Sequence, residues 1–127
     1  GANEVSGFLW HFCCRHSARR IGRYGLLLPH FQPVLKHRLI WLTTDREASR
    51  EALGLTSLTL RCDRMERLYE VTDASGCEAF NDWMERKLDR QEVDGNEVQH
   101  WLLGPDHRPD LWWLSERAVP VRAAEAP

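Results

Sequence analysis

Four residues able to hold a metal or a proton fall close together in the stretch LWHFCCRHSARR: His11, Cys13, Cys14 and His16. Structural zinc needs two ligand pairs, most simply C-x-x-C completed by a second pair. The chain has no C-x-x-C, and Cys62 and Cys77 stand alone. Strand alternation would place His11 and Cys13 on one face and leave His16 beyond it. Buried cysteine acting as a small apolar side chain is the simpler reading. Cysteine catalysis requires a thiolate beside a base. Cys14 has basic neighbours, but no nucleophile motif surrounds it.

Two further groups of residues carry chemistry. Arg15, His16, Arg19, Arg20 and Arg23 crowd one helical stretch. Their forked donors suit phosphates, while a merely solvated basic face is the plainer alternative. No glycine-rich phosphate loop is present, since GRYG lacks both the glycine spacing and the lysine of such loops. Among carboxylates, Asp110 precedes LWWLS, Glu116 follows it, and Glu70 lies in YEVTD. A carboxylate at the mouth of an apolar, tryptophan-lined site has a raised pKa and can stabilise a cation or act as a base. Elsewhere it is an ordinary surface acid.

The elements that must position these groups follow from pattern. Residues 8 to 14 read as a strand. Alternation puts Phe8, Trp10 and Phe12 on one face and Leu9, His11 and Cys13 on the other, with His11 facing a partly enclosed cleft. A helix over 16–24 is capped by Ser17 and stopped by Gly25. HFQPVLKH reads as a loop. Residues 38–44 make a second strand with Leu39, Trp41 and Thr43 on one face. Thr44 and Glu47 have capping-box spacing for a short helix ending at Gly54. Strands are expected at 57–63 and 68–72. The clearest amphipathic helix runs over 77–88, with Phe80, Trp83, Met84 and Leu88 inward and Glu85, Arg86, Lys87 and Asp89 outward. A short helix over 97–103 follows. Residues 111–115 form a strand that AVPV prolongs along the edge.

The bulk numbers fit one domain, residues 1–127, with flexible ends at about 1–6 and 123–127. The chain is 43% hydrophobic and 28% charged, as in a globular protein. Its net charge of −2 predicts no global attraction to nucleic acid or an anionic membrane. No apolar run approaches the ~18 residues needed to span a bilayer. GANEVSGF has no basic stretch followed by an apolar one, so no signal peptide is expected. Reduced thiols in a cytoplasmic protein follow. Six tryptophans are many for this length: most belong in the core, and an exposed one marks a ligand or partner surface. The element order gives an α+β class.

Together these pieces resemble the ADP-ribosyltransferase fold, in its small toxin-like and tRNA 2′-phosphotransferase-like branches. LWHFCCRHSARRIGRYGLLLP is similar to an opening strand with a central histidine followed by a helix and a GLL.P turn. IWLTTD is similar to the family's second strand, and DLWWLSERAVPV to its last. The resemblance implies small split β-sheets forming an NAD-binding cleft, with two to four helices. It implies that His11 bonds the NAD ribose and that Thr43 is the second motif residue. Trp41 or Tyr69 would stack on the nicotinamide or adenine. Arg15, Arg19 or Arg61 would meet the pyrophosphate. The family's catalytic glutamate precedes the last strand in many members, which points to Asp110, with Glu116 beyond the strand. A carboxylate near the ribose would stabilise the cation formed as nicotinamide leaves. The implied activity is transfer of ADP-ribose to a protein or nucleic-acid acceptor. The alternatives are a non-catalytic nucleotide- or partner-binding module of the same fold, and an RNA 2′-phosphotransferase-like RNA-binding protein.

Overall fold

The computed structural model describes residues 9–55 and 63–125. The strand expected at 57–63 falls almost wholly outside them, as do Arg61 and Cys62. In chain order the elements are β1 (Trp10–Cys13), α1 (Arg15–Tyr24), β2 (Leu26–Leu27), β3 (His30–Gln32), β4 (His37–Thr43), α2 (Arg50–Leu53), β5 (Arg67–Val71), β6 (Cys77–Ala79), α3 (Phe80–Asp89), α4 (Gly95–Trp101), a 3-10 turn (Pro109–Leu111), β7 (Trp112–Ser115) and β8 (Val119–Ala124). The protein is α+β. Its described strands form one open antiparallel sheet of eight, ordered β2-β8-β5-β1-β4-β7-β6 with β3 on β4.

Alternation along the strands divides apolar residues between two faces. Leu9 and Cys13, with Ile40 and Leu42 of β4, and Tyr69 and Val71 of β5, form one core layer. Helix α1 covers it through Ile21 and Ala18, and the Tyr69 hydroxyl donates to the Ala18 carbonyl at 3.2 Å. On the opposite face, Leu39, Trp112 and Leu114 pack under Phe80, Trp83 and Met84 of α3 and Val98 of α4. That second cover lies over β4 and β7. Trp10 and Phe12 of β1 share its face but lie beside it.

Several local expectations are corrected. Helix α1 starts at Arg15 after Cys14, so Ser17 lies within the helix and is not its cap. Its stop at Gly25 holds: φ is 64°, and the Gly25 N–H bonds the Ile21 carbonyl. The stretch expected as a loop contains β3, which pairs His30–Gln32 with Leu39–His37. Its turn is closed by the Gln32 side chain, whose Oε1 accepts from the Val34 and Leu35 N–H groups. Thr44 caps no helix, because its N–H bonds the Leu111 carbonyl and Asp45 turns the chain by accepting from Glu47. Ser49 caps α2 by accepting from Ala52 at 3.1 Å.

Lys87 is buried, not outward. Its ammonium lies 3.5 Å from Glu92 and 3.3 Å from Glu116, above the Trp83 ring. A long cationic side chain on a helix can bury its stem when carboxylates meet its head. Residues 119–124 do not prolong β7. They form β8, which crosses to pair with β5 and β2. Ala123 and Ala124 pair with Tyr69 and Leu68, so β8 runs on to Ala124.

Candidate functional site

Strand β4 has an unusual edge. Its first half, His37–Leu39, pairs with β3. Its last residue, Thr43, pairs with Trp10 of β1, the one register pair joining β1 to β4 among the described residues. Between these, beside Trp41, none of the described residues pairs with the strand on that side. A strand carbonyl left without a donor costs free energy comparable to a lost hydrogen bond. The side chain of His11 supplies the donor: its Nδ1 lies 2.7 Å from the Trp41 carbonyl oxygen. Burial pushes the His11 pKa down, the bond to Trp41 opposes that, and the neighbouring His30 and Arg64 lower it further. His11 is therefore a neutral imidazole with its proton on Nδ1, leaving Nε2 as an acceptor.

Beside this junction lies a cavity of about 240 Å³. Trp10 and Phe12 of β1, Trp41 and Thr43 of β4 and Trp112 of β7 form its floor. The register explains the grouping, since Trp10, Thr43 and Trp112 are successive partners across three strands and share one face. The walls come from the end of α2 (Leu53, Gly54, Leu55), the end of α4 (Trp101, Leu102), His107, Gln32 and Arg64. Gly54 holds a φ of 69°, and a Cβ there would meet the His107 ring at 3.6 Å. Trp112 is fixed by its indole N–H, which donates to the Ala52 carbonyl at 2.9 Å. Trp41 packs edge-on to Trp112 with ring centres 5.7 Å apart. Trp101 is 67% exposed and stands at the rim.

Arg64 is the cationic group of this cavity. It is half-buried, and burial lowers its pKa. Among the described residues it forms no ion pair with a carboxylate. A guanidinium held in an aromatic wall suits an anionic, planar ligand.

The structure brings together only part of the expected site. Trp41 and Thr43 line the cavity. Thr43 is buried, and its hydroxyl accepts from the Asp45 N–H at 3.1 Å. His11 lies between the strands instead of facing the cavity, whose floor is the Trp10 and Phe12 face. Tyr69 lies on the opposite side of the sheet under α1, where burial raises its pKa; it cannot stack on a ligand in this cavity. Arg15 and Arg19 are exposed on α1 and do not line it. Asp110 is exposed in the 3-10 turn, where Arg108 grips it with two bonds of 2.8 and 3.0 Å and lowers its pKa. Glu116 is paired with Lys87. Neither acid reaches the cavity.

The carboxylate nearest its floor in register is Glu70, directly opposite Trp10 on β5 and bonded to Arg122 at 2.9 Å. The polar and aromatic cavity residues absent from the expected site include Arg64, His107, Phe12, Gln32 and the tryptophans other than Trp41. Only the surplus of tryptophan in the composition hinted at them. Arg64 and His107 lie in turns with no periodic signal. No family model, no curated protein and no solved structure matches this chain.

Proposed function

We propose that this chain is an ADP-ribosyltransferase-like protein that binds NAD or a related nucleotide in the tryptophan-lined cavity. One observation carries the reading: indole and phenyl faces converge with a half-buried arginine where β1 parts from β4. The described strands form one sheet instead of the split pair that the resemblance implies, and the parting of β1 from β4 is a local opening within it. At about 240 Å³ the cavity is smaller than the ~300–1,000 Å³ that encloses a drug-sized ligand. It suits one heteroaromatic ring and part of its sugar. The remaining phosphates and second nucleoside would lie along the mouth, past Arg64 and Trp101.

Two modes follow, transfer of ADP-ribose and binding alone. Transfer needs a carboxylate to stabilise the ribosyl cation. None of the described residues that line the cavity is acidic, which favours binding alone. If transfer occurs, Glu70 is the acid best placed for it. Thermal melting with NAD, NADP, ADP-ribose and nicotinamide tests the reading. A ligand at 100 times its Kd adds about 2.7 kcal/mol to stability, and Trp41→Leu is expected to remove that gain. The absence of a shift with every one of these ligands at millimolar concentration would overturn it. Labelled NAD then separates the modes: ADP-ribose label appearing on a protein or nucleic-acid acceptor together with release of nicotinamide, both lost in Glu70→Gln, indicates transfer.

A further inference from the structure

A group of indole faces draws cations, because the face of each ring is its negative side. The charges around the tryptophan-lined cavity act the other way. None of the described residues that line it is acidic. Residues 56–62, the stretch between Leu55 and Asp63, contain no aspartate or glutamate. Two arginines stand at the cavity. Arg64 lines it. The Arg46 guanidinium lies 4.8 Å from the centre of the Trp10 ring in the floor, and bonds the uncharged backbone carbonyl of Glu125 at 2.6 Å. A cation therefore already occupies one face of Trp10. The hydrogen-bonding side chains carry the same bias. The Gln32 side-chain oxygen is engaged by the Val34 and Leu35 N–H groups, so Gln32 has its amide N–H pair to offer a ligand. The Thr43 oxygen accepts from the Asp45 N–H and keeps its own O–H to donate. Arg64 has donors alone. These three lining side chains present donors to an occupant.

We infer that the cavity takes a neutral heteroaromatic base joined through its sugar to a 5′-phosphate, with the phosphate on Arg64, and excludes a cationic ring. The inference rests on the reading of the cavity as a nucleotide site, and it fixes which end of NAD enters. Adenine is neutral, its ring nitrogens accept hydrogen bonds, and its sugar carries a 5′-phosphate. The oxidised nicotinamide ring is a pyridinium cation. At an effective dielectric constant of about 20, two like charges about 7 Å apart repel by enough to lower affinity about tenfold or more. The adenosine 5′-phosphate half therefore goes in, and the nicotinamide riboside stays at the mouth beside the exposed Trp101.

The test is titration calorimetry of the wild-type chain with oxidised and with reduced nicotinamide mononucleotide. The two share ribose, phosphate and ring size and differ by the one ring charge. The reduced form is expected to bind about tenfold more tightly or better. Adenosine 5′-monophosphate, ADP-ribose and NAD should bind with similar affinity, because they share the half that enters. Adenosine without its phosphate should bind about tenfold more weakly or worse. Arg64→Gln should bring adenosine and its monophosphate together and narrow the gap between the two nicotinamide mononucleotides. Arg64→Lys, which keeps the charge, should preserve that gap. Equal or tighter binding of the oxidised mononucleotide to the wild type overturns the inference and leaves a nucleotide site that accepts cations. Failure of every one of these nucleotides to bind overturns the nucleotide reading together with it.

Discussion

The imidazole of His11 takes the place of a strand: its Nδ1 bonds the Trp41 carbonyl, 2.7 Å away, where β4 has lost β3 and not yet met β1. His11→Ala leaves that carbonyl without a donor in a partly buried place. A loss of about 1–3 kcal/mol is expected, read from urea denaturation. His11→Gln, whose amide can donate in the same direction, should recover part of it. Equal stability of wild type and His11→Ala would mean that the bond contributes nothing.

The same bond has a pH signature. The folded-state pKa of His11 lies below its ordinary value near 6.5, chiefly because burial disfavours the imidazolium. The unfolded chain therefore binds the proton more readily. Stability from this group is complete above pH 6.5 and is lost as pH falls through 6.5 toward the folded value. The urea midpoint of the wild type should fall between pH 7.5 and 5.5, and that of His11→Gln should fall less. Parallel curves would refute the assignment.

Lys87 and its two carboxylates join α3 to the segments that follow α3 and β7. The ammonium is buried, while Glu92 and Glu116 are each about 40% exposed in the side chain. Replacing both acids by glutamine strands the buried charge, with an expected loss of about 1–3 kcal/mol after allowing for solvent screening. Lys87→Met removes the charge and keeps the volume, so it should cost less than the double change. Chemical denaturation of the two variants compares them directly. A larger loss for Lys87→Met would mean that stem packing and the contact with Trp83 dominate.

Two thiols should be inert in the folded protein. Burial pushes Cys13 up to about 12 and Cys77 to about 11, so at pH 8 fewer than about one molecule in a thousand carries either thiolate. Iodoacetamide followed by peptide mass spectrometry should leave both unmodified until urea is added. Rapid labelling of Cys13 under native conditions would show that its strand opens locally.

Arg64 gives a test on the ligand side. Arg64→Ala removes charge-assisted bonds to a phosphate, each worth about 1.5–3 kcal/mol, so nucleotide affinity should drop roughly tenfold or more. Binding of uncharged nicotinamide should change far less. Titration calorimetry with ADP-ribose and with nicotinamide distinguishes the two. An equal drop for both ligands would point to a collapsed cavity instead of a lost phosphate contact.

Alternation in LWHFC and RLIWLTT was enough to place Trp41 and Thr43 on one face and Leu9 and Cys13 on another, because period two survives whatever the strands pair with. The role of His11 was not readable that way. Alternation put His11 with Leu9 and Cys13, and its register partner Tyr69 does lie in that layer, but its sideways bond to the Trp41 carbonyl depends on where strands part, which is set by contacts distant in the chain. The tryptophan floor draws on β1, β4 and β7, whose adjacency is a matter of topology. Asp110 looked well placed in sequence, but Arg108, two residues away, takes its carboxylate. Lys87 followed the helix period outward as expected of a lysine, until Glu92 and Glu116 from beyond the helix gave its head a reason to turn in.

The narrow join between β1 and β4 also has a mechanical meaning. Elsewhere in the sheet, stiffness passes from strand to strand through several rungs, four between β1 and β5 and four between β4 and β7. Among the described residues, between β1 and β4 it passes through the Trp10 and Thr43 pair and one imidazole. The sheet is two plates on a pin. Phe12 rides on one plate and Trp41 on the other, so any rotation about that pin would change the gap between them, and losing the His11 bond would leave the Trp10 and Thr43 pair as the one described link.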